Sequence, residues 1–442
     1  MSCDILITVL PSGFMPRVYI GSLRELNHND NVEIYGWLQD LKLLKNVSFL
    51  IMRDRTGTVQ VTFKNTPDIV NLLKELPRES VLKISGKINK KSVSKSGLEV
   101  SGESVEVLNR SERPLPLPVI DPVQADLETR LNNRFIDLRK RDVSSIFNAE
   151  SSILWGIREF LHSQGFIEVH TPKIVAAATE GGADLFPVKY FENDAYLNQS
   201  PQLYKEILMS SGFEKVFEVG PAFRAEEHNT TRHLNEFTSI DIEMSFADHN
   251  DAMRILENAV KSGIENMINE NGKDLQENGI NISIPEIPFP RITYKECIKL
   301  LEKEGLEFQF GNDFSPEELR IIGRNFKDFY FITEWPSSLR PFYTMPNRDD
   351  PTITNSFDLQ YREVEVTSGA QRVHDPDLLL KRFNEKKLNI DSFKFYIQAF
   401  KYGMPPHAGW GLGLERLTMI VLGLNNIRET TLFPRDRTRI IP

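Results

Sequence analysis

The sequence predicts an α+β protein with a small N-terminal β-barrel and a larger domain that mixes helices and strands. Residues 31–110 hold five short strand-like segments separated by turn residues, with one helical segment after the third. Residues 111–125 contain four prolines, which disfavour regular structure. Beyond them, amphipathic helical patterns alternate with strand-like runs. We therefore expect domains at 1–110 and 126–442, joined by a Pro-rich hinge at 111–125.

The composition indicates a globular cytoplasmic protein. The 442 residues are enough for two or three domains and a large core. No apolar run is long enough to span a membrane, and no basic segment precedes the apolar run 5–10, so we expect neither a membrane span nor a signal peptide. Cys3 and Cys297 lack the spacing of a disulfide framework or a zinc site, and they fit a reducing cytoplasm. The sequence leaves open whether residues 1–14 precede a functional start at Met15.

The N-terminal segment has the element order of an OB-fold. Five strands with a helix after the third form such a barrel, whose surface commonly binds oligonucleotides. The expected strands are Val32–Leu38, Ser48–Arg53, Thr58–Lys64, Val81–Ser85 and Glu99–Leu108, with a helix at Asn65–Leu76.

Charge and two side chains make this barrel a candidate nucleic-acid interface. The whole chain has a net charge of −9, but residues 31–110 hold 13 Lys and Arg against 9 Asp and Glu. Phe49 could stack on an unpaired base, and Gln60 could bond a base edge. The alternatives are that the basic residues form a solvated face and that Phe49 belongs to the core.

Two segments precede the central motif of the second domain. Residues 142–165 have helical periodicity and lead into a strand that Pro172 closes. Residues 176–184 are small and Gly-rich. They form either a flexible loop or a lid, in which Glu180 would lie near a substrate ammonium.

The most informative stretch is 223–246, which holds two strand-like segments around a polar loop. Arg224 and Glu226 alternate, as do Asp241 and Glu243, so each pair should share one face of a strand. An arginine held on a strand can bind phosphate or carboxylate with a planar fork of donors.

The loop of this hairpin adds further candidate ligand groups. Arg232 and His233 offer donors to phosphate, and Phe237 offers a flat apolar face on which a base could stack. An ordinary amphipathic hairpin with a solvated polar face is the alternative.

Two C-terminal stretches point to a nucleotide. In 357–374 acidic residues accompany strand-like runs, and carboxylates suit the Mg²⁺ that ATP brings. In 407–420 a Gly-rich strand enters a helix whose first turn holds Arg416. A dinucleotide site is disfavoured there, because such a motif belongs early in a βαβ unit and this chain ends soon afterwards.

Together these stretches resemble the class II aminoacyl-tRNA synthetases. The run 223–237 is similar to motif 2 of this family and close to its version in archaeal/eukaryotic aspartyl-tRNA synthetases. Residues 142–172 resemble motif 1, which builds a dimer interface, and 407–420 resemble motif 3. The resemblance covers residues 20–442, with 250–345 similar to the short insertion of these enzymes. It implies a catalytic antiparallel sheet flanked by helices, after an N-terminal OB barrel that binds the anticodon.

The resemblance also implies roles for individual residues. Those expected to bind aspartate are Glu180, Gln202, Lys205, Arg224, Asp241, Ser368 and Arg372. Those expected to bind ATP are Arg224, Glu226, Arg232, His233, Leu234, Phe237, Glu365, Gly413, Leu414, Glu415 and Arg416. Glu365 and Ser368 match the family's Mg²⁺ ligands, and Phe49 and Gln60 match its anticodon contacts.

The implied activity is that of an aspartate–tRNA ligase. Such an enzyme is a cytoplasmic homodimer that activates L-aspartate with ATP and Mg²⁺ and transfers it to the 3′ end of tRNA-Asp. The rivals are a class II enzyme for asparagine or lysine and a non-catalytic paralogue. Lys205 and Arg372 are both cations, so they favour the anionic side chain of aspartate over the side chains of asparagine and lysine. The intact Arg224 and Arg416 disfavour the paralogue.

The choice of tRNA is expected to depend on the barrel, near two loops at 37–41 and 91–97. Strict archaeal relatives tend to have Trp at the position of Gln39 and Lys at that of Lys95. Non-discriminating relatives, which also aspartylate tRNA-Asn, tend to have His at the first and often Pro at the second. This chain keeps Lys95 and departs at Gln39. We expect a strict enzyme, with a non-discriminating one as the alternative.

Overall fold

The structure, a computed structural model, describes residues 17–92, 97–120, 125–176, 185–228 and 230–442. It divides into two compact units, 1–125 and 126–442. Among the helices in the described ranges, none has the length and apolar character that crossing a bilayer requires.

The first unit is a closed five-stranded barrel with the strand order β1-β2-β3-β5-β4, as predicted for an OB-fold. Its strands alternate buried and partly exposed residues, so that every second side chain enters the core. One helix follows β3, begins at a proline and is capped by Thr66. The elements are β1 (Asn31–Leu43), β2 (Val47–Asp54), β3 (Gly57–Lys64), α1 (Pro67–Lys74), β4 (Val81–Asn89) and β5 (Glu99–Asn109).

The first strand is longer than the sequence suggested. We expected β1 to end at Leu38 and a loop to include Gln39, but the strand continues to Leu43. Its register against β2 shifts between Leu38 and Asp40, which makes Gln39 the extra residue of a β-bulge. A bulge keeps the strand paired while it redirects one side chain, and turn signals in a sequence do not reveal it.

The second unit is built on an eight-stranded sheet with the order β12-β13-β14-β15-β16-β11-β10-β6. Neighbouring strands are antiparallel, apart from β12 beside β13 and β10 beside β6. Three short strands, β7, β9 and β8, form a separate small sheet. The strands are β6 (Ile167–Glu168), β7 (Ile174–Val175), β8 (Pro187–Tyr190), β9 (Asn193–Leu197), β10 (Lys215–Phe223), β11 (Glu236–Ser245), β12 (Arg291–Thr293), β13 (Phe329–Thr333), β14 (Ser356–Tyr361), β15 (Val364–Gln371) and β16 (His407–Gly413).

Helices cover the large sheet and form its hydrophobic core. Ile153 and Ile157 of the long helix α4, Leu256 and Val260 of α6, and Trp410 of β16 belong to one buried cluster. The antiparallel sheet flanked by helices agrees with the predicted fold. The helices are α2 (Leu127–Asn132), α3 (Arg134–Asp137), α4 (Arg141–Ser163), α5 (Gln202–Ser210), α6 (His249–Glu277), α7 (Tyr294–Lys303), α8 (Pro316–Gly323), α9 (Pro376–Glu385), α10 (Lys394–Lys401) and α11 (Leu414–Val421).

The first strand of the central hairpin ends earlier than predicted. Strand β10 stops at Phe223, so Arg224 and Glu226 lie in the loop rather than alternating on a strand. The backbone N–H of Arg224 still donates to the carbonyl of Asn235 at 3.0 Å. This bond anchors Arg224 where the hairpin opens.

Candidate active site

A cavity of about 350 Å³ opens over the central strands β11, β15 and β16. Most residues predicted to bind aspartate or ATP line it, although the chain supplies them from positions 202 to 416. The predicted residues on its wall are Gln202, Arg224, Glu226, Arg232, His233, Leu234, Phe237, Asp241, Glu365, Ser368, Arg372, Gly413, Glu415 and Arg416.

Some predicted residues have other positions. Leu414 is buried at the start of α11 and does not appear on the cavity wall. Lys205 lies one layer behind the wall. Glu180 and Lys95 lie outside the described residues.

Lys205 is held by protein groups on three sides. Its Nζ is 2.9 Å from Oδ1 of Asp241 and 3.6 Å from Oε2 of Glu243, and it donates to the carbonyl of Trp410 at 3.2 Å. Two of the three ammonium donors thus make hydrogen bonds within the protein, and Glu243 lies at ion-pair distance. In this arrangement Lys205 acts on the cavity through Asp241, which lines it.

Arg372 presents its charge directly to the cavity. Its Nε and Nη2 donate to the two carboxylate oxygens of Glu243 at 3.0 and 3.2 Å, and its guanidinium lies 5.4 Å from the centre of the Tyr343 ring. Burial alone would lower the pKa of Arg372, but the charges of Glu243 and Glu206 more than offset this and raise it. Arg372 is therefore a fixed cation on the cavity wall, and its remaining N–H groups suit a ligand carboxylate.

Glycines in β16 make this charge cluster possible. A Cβ on Gly409 would overlap the backbone of Ile242 and the carboxylate of Glu243, and one on Gly411 would lie 3.0 Å from Oδ1 of Asp241. Glycine is therefore required at 409 to leave room for Glu243, and a side chain at 411 would crowd Asp241.

Lys205 and Arg372 are both paired with acids, so the net positive charge around them is smaller than the sequence suggested. Two unpaired cations would favour an anionic substrate by charge alone, but Asp241 and Glu243 face Lys205 and Arg372. The selectivity of this pocket must therefore come from the directed donors of Arg372 more than from net charge.

The opposite part of the cavity combines three arginines with one aromatic ring. The guanidinium of Arg224 lies 5.5 Å from the centre of the Phe237 ring. Arg416 donates to the carbonyls of Glu365 at 3.0 Å and of Arg232 at 3.2 Å. Burial lowers the pKa of Arg416, and the positive charges of Arg224 and Arg232 add to this effect. Cations gathered at this density suit a polyphosphate, and the flat ring suits a base.

The same cations act on His233 in the hairpin loop. Burial, followed by the charge of Arg416, lowers the pKa of His233 below its ordinary value. The ring is therefore neutral near pH 7 and can offer phosphate a single N–H donor.

Glu365 and Ser368 line the same cavity as Arg224, Arg232 and Arg416. The walls of the cleft desolvate Glu365 and Asp358 adds a negative charge, which together raise the pKa of Glu365 to about 7. Glu365 is exposed to solvent in the open cavity, which limits how strongly this environment acts on it. Oδ1 of Asp358 is buried and has no hydrogen-bond partner among the described residues. These oxygen donors fit a hard cation such as Mg²⁺, which takes few protein ligands and completes its shell with phosphate and water.

Sequence reasoning missed Arg340 in this region. Its Nη2 lies 2.6 Å from Oδ2 of Asp358, its Nη1 donates to Ser368 at 3.1 Å, and its guanidinium stacks 4.5 Å from the centre of the Trp335 ring. No local pattern marks Arg340 in the sequence. Glu243 could have been included, because its alternation with Asp241 on one strand face was visible.

The barrel carries a separate cavity of about 300 Å³ on its outer surface. Phe49 and Gln60 both line it, and both are partly exposed rather than part of the core. The amide Nε2 of Gln60 donates to Glu99 at 2.8 Å, which leaves its oxygen for another partner. An exposed ring beside an oriented amide suits a single-stranded base.

Two family models match the chain. Residues 126–437 match the model for class II tRNA synthetases (D, K and N), and residues 32–108 match the OB-fold nucleic acid binding domain.

Similar proteins agree with both matches. "Aspartate--tRNA(Asp) ligase" of Thermoplasma acidophilum is 71% identical over 97% of this chain and 100% of its own length. "Aspartate--tRNA(Asp/Asn) ligase" of Archaeoglobus fulgidus is 49% identical over 96% of this chain and 100% of its own length. The crystal structure of asparaginyl-tRNA synthetase from Pyrococcus horikoshii with asparaginyl-adenylate has a TM-score of 0.91 at 32% identity, covering 97% of this chain and all of that one. These findings confirm the family predicted from the sequence, and the chain belongs to the class II aminoacyl-tRNA synthetases, among the aspartate–tRNA ligases.

Proposed function

We propose that this protein activates L-aspartate with ATP and transfers it to the 3′ end of tRNA-Asp. The observation that carries the proposal is Arg372, whose fork is fixed by Glu243 with further N–H groups toward the cavity. Such a fork of N–H donors matches the two acceptor oxygens of a side-chain carboxylate. The side-chain amide of asparagine is neutral and has one acceptor oxygen, so it would bind the fork less well. The names of the similar enzymes support the same substrate.

In the first step, an oxygen of the aspartate α-carboxylate attacks the α-phosphorus of ATP. The bond from this phosphorus to the bridging oxygen breaks, and pyrophosphate leaves with the negative charge. Arg224 would neutralise the α-phosphate and the attacking carboxylate, and Arg416, with Arg232, would hold the terminal phosphates. This step needs positioning and charge neutralisation, and no side chain forms a covalent intermediate.

In the second step, a terminal ribose hydroxyl of tRNA attacks the carbonyl carbon of aspartyl-adenylate. The hydroxyl loses its proton, the new ester forms, and AMP leaves. The base of the adenylate is expected on Phe237, where Arg224 already faces the ring.

Glu365 and Ser368 would hold Mg²⁺ together with ATP phosphate oxygens, with Asp358 nearby. Bound Mg²⁺ would neutralise the charge that builds up on the leaving pyrophosphate. Arg340 orders Asp358 and Ser368 for this role through its contacts with both.

Anticodon binding and dimer formation complete the proposal. The barrel cavity at Phe49 and Gln60 would receive anticodon bases, and Gln39 and Lys95 would act in tRNA discrimination. The preference for tRNA-Asp alone is supported by the name of the 71% identical relative. A homodimer through the motif 1 region is expected, and the enzyme is expected in the cytoplasm.

The test is an ATP–pyrophosphate exchange assay across the amino acids, with and without Mg²⁺. We expect exchange with aspartate that depends on Mg²⁺. Exchange with asparagine or lysine in place of aspartate would contradict the assignment, and binding of tRNA without any exchange would indicate the non-catalytic alternative.

A further inference from the structure

Behind the cavity wall, three polar side chains converge on the buried carboxylate of Glu206, which is 0% exposed. The amide Nε2 of Gln202 donates to Oε1 at 2.6 Å. The hydroxyl of Tyr396 donates to Oε2 at 2.8 Å, and Nε2 of His407 lies 3.1 Å from the same oxygen. Of this cluster, Gln202 alone is on the cavity wall.

The surroundings of Glu206 keep it ionised. Nδ1 of His407 lies 2.8 Å from the carbonyl of Pro405, and its Nε2 faces Glu206, so both ring nitrogens lie within hydrogen-bond distance of an oxygen. Burial would raise the pKa of Glu206, but the hydrogen bond and charge of His407, with the charge of Arg372, more than offset this and lower it. An ionised carboxylate only accepts hydrogen bonds.

This fixes which way the Gln202 amide faces. Because Glu206 only accepts, Gln202 must turn its NH₂ group inward, and its carbonyl oxygen is left for the cavity. We propose that Glu206 is a positioning residue that holds the Gln202 oxygen toward the cavity, so that the pocket accepts the α-ammonium of its amino acid. The inference rests on the proposed function, because it assumes an amino acid in this cavity.

Glu206→Gln should reverse the orientation of the Gln202 side-chain amide. His407 and Tyr396 both need an acceptor, so the new side chain would give them its oxygen and turn its NH₂ toward Gln202. Gln202 would then present its own NH₂ to the cavity and repel an ammonium. Tyr396→Phe is the matched control, because it removes one donor to Oε2 and leaves the bond to Gln202.

The experiment is calorimetric binding of L-aspartate and of succinate, which has both carboxylates and no ammonium. For Glu206→Gln we expect the Kd of aspartate to rise roughly tenfold to a hundredfold and that of succinate to change by less than about threefold. For Tyr396→Phe we expect an unchanged ratio of the two constants. Adding Gln202→Glu to Glu206→Gln should restore aspartate binding, because a carboxylate presents an acceptor in either orientation.

Equal weakening of both ligands by Glu206→Gln, or a double variant as weak as the single one, would overturn the inference. These binding measurements need no catalysis. A wild-type protein without aspartate-dependent exchange would count against the proposed function, whereas an unaltered ratio of aspartate to succinate binding would count against the role of Glu206.

Discussion

The carboxylate of Glu243 accepts hydrogen bonds from Nε and Nη2 of Arg372, and it lies 3.6 Å from the ammonium of Lys205. All three side chains are buried. Glu243 is therefore the direct partner of Arg372 and a second, more distant partner of Lys205, whose nearest acid is Asp241.

Replacing Glu243 should destabilise the fold. We expect Glu243→Ala to lower the free energy of unfolding by about 3–5 kcal/mol, because it leaves buried charges without their partner. The measurement is urea unfolding followed by circular dichroism. Glu265→Ala is the control, since Glu265 pairs with Lys261 at 3.7 Å and both side chains are partly exposed, and we expect it to cost less than about 1 kcal/mol. Similar losses for both variants would contradict the role given to Glu243.

Removing the Arg372 guanidinium should instead weaken substrate binding. We expect Arg372→Leu to weaken aspartate binding by about 2–5 kcal/mol, because the substrate carboxylate would be buried without its partner. The KM for ATP should change little, since Arg372 lies with the acids of β11 rather than with Arg224 and Arg416, which are proposed to bind phosphate. Measuring both KM values in pyrophosphate exchange tests this. If ATP binding collapsed while aspartate binding held, Arg372 would have another role.

Much of this site was predictable because its residues lie in short motifs with local chemistry. Arg224, Phe237 and Arg416 each belong to a run that the sequence marks, and all three line one cavity. The position of Lys205 was not predictable, because its partners Asp241 and Trp410 come from strands that meet only in the folded sheet. The same holds for Arg340, whose partners come from β14 and β15 and whose own surroundings carry no pattern.

The fold also has features that the sequence predicts and features that it does not. Alternating hydrophobic residues and turns were enough to predict the five barrel strands, because each strand buries one face. They did not predict the bulge at Gln39 or the end of β10 before Arg224, because both depend on how a neighbouring strand pairs.

Glu150, a half-buried acid that the buried Glu415 influences, should make stability depend on pH. Burial, and then the charge of Glu415, raise the pKa of Glu150 to about 8. Because the folded protein holds this proton more tightly than the unfolded chain, stability is fully present below the unfolded pKa and falls as pH rises toward about 8. We expect Glu150→Gln to be more stable than wild type at pH 8.5 by on the order of 1–2 kcal/mol, and no more stable at pH 4. Thermal melts across this range test the sign, and a constant difference would contradict it.

The proposed dimer should depend on the exposed face of α4. Trp155 is 54% exposed there, and Ile167 of the adjoining strand β6 is 47% exposed. Burying such groups against a second copy would favour association. We expect wild type to sediment as a dimer at micromolar concentration and Trp155→Glu to shift it toward monomer. Tyr402→Glu, which changes an exposed aromatic outside this face, should remain dimeric. An active wild-type monomer would refute the dimer.

The last prediction concerns the choice between tRNA-Asp and tRNA-Asn, whose anticodons differ at the third base. Phe49 and Gln60 line one cavity on the barrel, and Asp40 and Leu41, directly after the bulged Gln39, line the same cavity. The bulge therefore places Gln39 next to the surface where a base would bind.

We expect kcat/KM on tRNA-Asp to exceed that on tRNA-Asn by about tenfold or more, because a mismatched base typically costs about 1–3 kcal/mol. Gln39→Ala should reduce this ratio, since it removes the hydrogen-bonding group next to the surface that is proposed to read the anticodon. Gln60→Ala is the control, because it should weaken both tRNAs equally by acting on a base that they share. Both transcripts must be compared at one salt concentration, since phosphate contacts make affinity depend on salt. Equal kcat/KM values for the two tRNAs in the wild type would identify a non-discriminating enzyme, and the amino acid chemistry of the catalytic site would be unaffected.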